Sequence, residues 1–316
     1  MSPPLRNILI AGATGSVGAP ILAALVAEPS FNVTILTRAS SHAKFPPGVP
    51  VKTVSDAYTL DELTEAFKEQ DAVVSAISTT PIIKDDLAFR IIDAAVAAGV
   101  KRLIPSEFGA NNLDPRATSL VPVYELKGKM LKYLIQKAEE SNGALTWTSI
   151  SCGSWLDWGL DPAKSGNFLG IDVKNRKATI WDSGRSRFTA TTSSSTGLGV
   201  AKALLKPDLT ANKQVYLSDF VTNSRDIVES LEKQTGDKFA IEEKQSDPVI
   251  KELRAKFDAG EFNATYPLLA ISFVSDVDVG YDFEKEQKVW NKDLGLPMQT
   301  LDTVVKEAIA LVNSTS

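Results

Sequence analysis

The segment VYELKGKMLKYLI, residues 123–135, carries three lysines, and one of them stands where a lysine is costly. At about 100° per residue, Val123, Tyr124, Met130, Leu131, Leu134, Ile135 and Ala138 all fall within roughly 80° of Lys127 on a helical wheel. Lys129 and Lys132 fall on the far side, at about 160° and 140°. Lys127 therefore occupies the middle of an apolar stripe. Burying an ammonium without partners costs several kcal/mol or drives its pKa down, so the position calls for a reason.

A second set of residues is spaced to hold an anion. ILIAGATGSVGAPILAAL places Gly12, Gly15 and Gly18 between an apolar β-like run and a helical one. Glycines allow a tight turn and close approach to a pyrophosphate, and a helix start offers free N–H groups and a partial positive charge. The spacing is G-x-x-G-x-x-G rather than the commoner G-x-G-x-x-G, and a purely structural strand-to-helix turn is the alternative. In its strand–glycine–helix context the stretch reads as a dinucleotide-binding loop formed by Gly12, Thr14, Gly15, Ser16, Val17 and Gly18. The next β-like run ends ILTRASSHAK, with Arg38 where an NAD-preferring site usually carries Asp or Glu. A guanidinium suits a 2′-phosphate through bidentate hydrogen bonds, so NADPH/NADP is the expected cofactor; the alternative is a solvated arginine at a strand end.

With a cofactor expected nearby, Lys127 has three readings. Its stem can lie on apolar surface with the head in solvent. Its head can hold a cofactor ribose hydroxyl. Or it can be the catalytic general acid/base, helped by a pKa lowered through partial burial.

Composition narrows the chemistry. The chain has 316 residues, 43% hydrophobic and 23% charged, as in a soluble globular protein with a sizeable core. A net charge of −5, with lysines and acids interleaved, argues against a nucleic-acid surface. The lone histidine, His42, leaves no set of imidazoles for a zinc site or a Ser-His-Asp triad, and no metal is expected. One cysteine, Cys152, excludes an intramolecular disulfide and suits a reducing compartment. The start of the chain has no signal-like apolar region, and no run of about 18 apolar residues occurs anywhere. The expectation is a cytoplasmic protein with no membrane partner, a monomer or homodimer acting on a small molecule; the NAT triplet at Asn263 is an accident of composition.

These side chains need elements to carry them. Residues 6–12, 31–38, 49–55, 71–78, 101–107 and 145–151 read as strands, and 15–28, 60–70, 85–99 and 123–135 read as helices between them. Strands apolar at nearly every position belong in a parallel sheet covered on both faces. The expected fold is therefore α/β: a doubly wound parallel sheet with a smaller α+β substrate lobe. The NAD(P)-binding domain is placed at 1–152, also receiving elements from about 190–225, and the substrate lobe at 153–316. In that second half, 166–193 reads as an extended hairpin with a loop, and 195–205, 224–236, 247–260 and 300–312 read as helices around a strand at 213–219.

AGATGSVG, RLIPSEFG (102–109) and YELKGKMLKYL (124–134) together resemble the isoflavone reductase-like group of the NmrA-like family, which are atypical short-chain dehydrogenases. The resemblance covers most of the chain, with PSEFG its most specific part. It implies reduction by NADPH, with hydride delivered to a conjugated or benzylic carbon of a small molecule, and it matches Lys127 to the family's general acid/base. It also implies that Ser106, Glu107 and Phe108 line the nicotinamide end of the crevice and that Ala76, Ile77 and Ser78 pass the cofactor. Where the family often has Asn, this chain has Gly153; Trp155 and Trp158 fall where it has aromatics. Tyr124, Trp155, Trp158 and Phe168, with Phe108, are the expected substrate-side residues, and Trp181 follows them; ordinary core packing is the alternative for the aromatics. The mainstream Tyr-x-x-x-Lys pattern would need a lysine at 128, which is Gly128, and this disfavours an epimerase-like activity. The rival reading is a non-catalytic NmrA-like NAD(P)-sensing regulator.

Overall fold

The computed structural model describes residues 3–83 and 86–314. Strands form where aliphatic, β-branched and aromatic residues cluster. They are β1 (Asn7–Ala11), β2 (Asn32–Arg38), β3 (Val51–Val54), β4 (Ala72–Ser75), β5 (Arg102–Ile104) and β6 (Thr146–Ser151). After them come β7 (Ser154–Trp155), β8 (Ile171–Asp172), β9 (Lys177–Trp181), β10 (Phe188–Thr191), β11 (Lys213–Tyr216), β12 (Phe220–Thr222) and β13 (Ala240–Lys244). Seven make one sheet in the order β11-β6-β5-β4-β1-β2-β3, and every pairing in it is parallel.

Alternate residues of the central strand feed two cores, which explains its continuous apolarity. Ile8 and Ile10 pack under α1 (Gly18–Val26) and the helix at Ser193–Leu205. Leu9 and Ala11 pack under α2 (Leu60–Phe67), the short α3 (Thr79–Ile83), α4 (Leu87–Ala97) and, beyond α5 (Pro115–Leu120), α6 (Pro122–Glu140). The doubly wound parallel sheet expected from the sequence is thus present. The expected helix at 85–99 begins at Asp85, which lies outside the described residues.

The second half of the chain crosses back. β11 pairs with β6 as the seventh strand, and Tyr216 bridges Val289, bringing Trp290 and Leu294 into the core beneath α1. The remaining strands form two small mixed sheets, β12-β10-β7 and β13-β9-β8, around a third core that includes Phe188, Ile227 and Phe273. One expectation is corrected here. β8 and β9 do form an antiparallel hairpin, but β9 does not continue it with β10. Asp182, just after β9, donates its N–H to Lys244 and accepts from Ser246 and Asp276, which ties this end of β9 toward β13. β10 pairs with β12 and β7 instead. Among the described residues no helix is long and apolar enough to cross a membrane.

Candidate active site

The sheet order reverses between β1 and β4, and such a reversal opens a crevice at the carboxyl ends of the strands. A cavity of about 460 Å³ lies there. Gly15, Ser16 and Val17 line it from the β1–α1 turn, Ala76, Ile77 and Ser78 from beyond β4, and Ser106, Glu107 and Phe108 from beyond β5. Tyr124 and Lys127 reach it from α6, and Trp155, Trp158 and Phe168 from beyond β6.

The remaining loop residues act from behind or outside. Gly12 has φ +82°, and a Cβ there would strike the Ala76 carbonyl; at Gly18 it would strike the carbonyl of Gly12. Both glycines are needed to seat the turn against β4. Thr14 and Arg38 are exposed and do not line the cavity. The first turn of α1 has no side-chain cap and no acidic residue, unlike α2, which closes its start with a capping box. A helix start without a side-chain cap beside the cavity suits an anion such as a pyrophosphate. Arg38 ends β2 near Asp56, which sequence reasoning had passed over. Asp56 accepts the Ser40 N–H at 3.0 Å; hydrogen bonds from Ser40, and secondarily the charge of Arg38, hold its carboxyl below the ordinary range.

Lys127 is 8% exposed, and its Nζ donates to the Glu107 main-chain oxygen at 3.0 Å. The head is buried, so the snorkelling explanation fails. Burial lowers its pKa, while the charge of Glu107 opposes that shift. Glu107 is 3% exposed; burial pushes its carboxyl up to about 7, against the pull of Lys127 and a 2.6 Å hydrogen bond from Asn112 Nδ2. Asn112 was not foreseen: a loop asparagine carries no periodic signal.

Main-chain contacts fix this geometry. α6 closes tightly on the loop after β5 because residue 128 is glycine; a Cβ there would strike the Asn112 carbonyl oxygen. Ser106 Oγ donates to the Ile77 carbonyl at 2.8 Å, and the Gly109 carbonyl accepts both Cys152 and Gly153 N–H groups at 3.0 Å. Phe108 sits at φ +27°, a strained left-handed conformation for a residue with a side chain, at the point where the loop turns into the cavity.

The far wall is aromatic. Trp158 meets Phe168 edge-to-face at 5.4 Å, and Trp155 Nε1 donates to Thr196 Oγ1 at 3.1 Å. Trp181 packs on the neighbouring core and is not part of the cavity wall. Tyr266, Leu269 and Phe273, from the helix Thr265–Val274, complete the wall and were missed, because TYPLLAISFV is apolar nearly throughout and shows no clear period. Tyr124 lines the cavity but also accepts a 3.4 Å hydrogen bond from the Tyr281 hydroxyl; burial raises its pKa well above the usual phenol value. Gly153 has φ +62° and lies against the Thr189 carbonyl, so no side chain, asparagine included, fits this backbone.

The family model described as NAD(P)H-binding matches residues 12–176, which contain every cavity-lining residue except the three of the later helix. An oxidoreductase of Aspergillus flavus, aprR, is 33% identical over 304 residues, covering 95% of this chain and 97% of its own. An NmrA-like family domain-containing oxidoreductase of the same fungus, lnbB, is 26% identical and covers 74% and 75%. Among solved structures, an isoflavone reductase superposes with a TM-score of 0.74 at 21% identity, over 96% of this chain and 99% of that one. The leucoanthocyanidin reductase–NADPH complex from Vitis vinifera gives 0.72 at 20%, over 96% and 99%. At those identities the structures speak to the fold, and the fungal sequences to the lineage. The chain belongs to the NAD(P)H-binding family, has NmrA-like oxidoreductases among its relatives, and shares the fold of isoflavone reductase.

Proposed function

We propose that this protein is an NADPH-dependent reductase that transfers hydride to a conjugated or benzylic carbon of a small, aromatic metabolite, with Lys127 as general acid/base. One observation carries the reading: a buried lysine head, an uncapped helix start and an aromatic wall share one cavity. Bound there, a reduced nicotinamide supplies the hydride. The pyrophosphate would rest on Gly15, Ser16 and Val17, with Gly12, Thr14 and Gly18 shaping the turn. Ala76, Ile77, Ser78, Ser106, Glu107 and Phe108 would flank the rest of the cofactor, and Arg38 would take a 2′-phosphate.

Lys127 then has two duties open to it: holding a ribose hydroxyl, and moving a proton at the substrate oxygen. A lysine poised below its usual pKa suits the second. Phe108, Tyr124, Trp155, Trp158 and Phe168 would enclose an aromatic ring and exclude water. Residues 1–152, with the returning helix and strand at 193–216, would serve the cofactor, and the rest the substrate.

The test is NADPH consumption against a panel of enones, quinone methides and benzylic ethers. Turnover of any one supports the reading. A panel wholly inert, with tight binding of both oxidised and reduced cofactor, would instead favour the sensing role.

A further inference from the structure

Glu107 is a carboxyl in a place that carboxyls avoid. Behind it lies a small cavity walled by Leu103 and Met130, so apolar surface rather than bulk water backs it. Its carboxylate accepts from Asn112 Nδ2, while its main-chain oxygen takes Lys127 Nζ. Asn112 is 1% exposed, and its other amide atom, Oδ1, is buried without a partner.

An unpaired buried amide oxygen is a standing cost, and this one has a use. Nδ2 can donate to an ionised Glu107. After a half-turn of the amide, Oδ1 can accept from a protonated one. Asn112 therefore serves both forms of the carboxyl without any movement of the backbone.

We propose that Glu107 is a positioning residue for Lys127: its main-chain oxygen aims Nζ, its carboxyl charge governs whether Lys127 keeps its proton, and Asn112 accommodates the carboxyl in either form. The other titratable groups around the lysine do not compete. Burial pushes the Cys152 thiol up to about 12 and the Tyr124 hydroxyl well above its usual value, so both stay uncharged at neutral pH. The charge of Asp219 pushes the Cys152 thiol further up. Glu107 is thus the anion that keeps the ammonium charged. When its carboxyl takes up a proton, Nζ releases its own more readily: an N–H bond breaks at lysine and an O–H bond forms at water or at the substrate oxygen.

The catalytic meaning of this device rests on the proposed reductase; its titration does not. The experiment is a pH titration of the full-length protein labelled with 13C at lysine Cε, the Lys127 signal being assigned by its loss in Lys127→Arg. The wild-type midpoint is expected below the ordinary lysine value. In Glu107→Gln, whose amide can pair with Asn112 Oδ1, it should fall by a further unit or so, about the size of losing a nearby opposite charge. Asn112→Ala, which removes the donor favouring the carboxylate, should move it the same way by less, and this variant decides the matter should Glu107→Gln not fold. An unmoved midpoint in a folded variant overturns the proposal, even in an enzyme that turns over. A moved midpoint supports it, even where every compound in the panel is inert.

Discussion

The Nζ of Lys127 donates to the main-chain oxygen of Glu107, twenty positions earlier, at 3.0 Å. That bond joins α6 to the loop after β5 and holds the lysine head inside the cavity rather than in solvent. It also couples Lys127 and Glu107 electrostatically.

Lys127→Ala should lower NADPH-dependent turnover by about 10²–10⁴-fold, the usual contribution of a positioned acid or base. Cofactor affinity, followed by fluorescence titration, should change by less than about tenfold. The reverse pattern, with affinity lost and turnover at saturation kept, would mean that the lysine holds a ribose and moves no proton.

The glycines of the phosphate loop should separate by role. A Cβ at Gly15 meets the Gly12 and Ala76 carbonyl oxygens at 3.5 and 3.9 Å, ordinary contacts, so Gly15→Ala should fold normally. It should still weaken cofactor binding, by tenfold or about 1.4 kcal/mol if it crowds a phosphate oxygen. Gly18→Ala drives a methyl into backbone and should destabilise the fold itself by about 1–3 kcal/mol. Thermal melts with and without cofactor distinguish the two.

Arg38→Asp should cut the preference for NADPH over NADH by tenfold or more, since hydrogen bonds to charged groups are worth about 1.5–3 kcal/mol. Asp56→Asn, which removes the acid beside Arg38, should move the preference the other way. Kinetic constants for both cofactors provide the check, and an unchanged ratio in Arg38→Asp would remove Arg38 from the cofactor site.

Glu107 should leave its mark on stability as a function of pH. Its folded pKa is raised, so the favourable contribution of its neutral form is complete below the ordinary value of 4.5 and is lost as pH rises to about 7. Across that window the native state binds more protons than the unfolded one, and stability falls at up to about 1.4 kcal/mol per pH unit from this group. Glu107→Gln should lose this slope, so its stability relative to wild type should climb with pH. Denaturant midpoints measured across the window report the difference directly.

The first half of the fold was legible because its strands are locally written: aliphatic runs at Ile8–Ile10 and Val73–Val74 admit few structures other than buried parallel strands. The cavity walls from the glycine loop, PSEFG and α6 were legible for a related reason, since each follows directly from a strand end or a helix face. Partners set by distant chain were not. β9 pairs with β13, some sixty residues on, through a register no short window contains. Tyr266 and Phe273 reach the cavity only because a late helix folds over it, and Asn112 matters only because Glu107 is buried beside it.

Gly128 carries a lesson for redesign. The mainstream dehydrogenase pair would put its lysine at this position, yet the Asn112 carbonyl already occupies the space where any side chain would begin. Shifting the lysine one residue along α6 is therefore not a point mutation. It would lift the helix from the loop and part Nζ from the Glu107 carbonyl that aims it. Grafting the mainstream arrangement here would have to begin by rebuilding residues 109–114, and only then touch the helix.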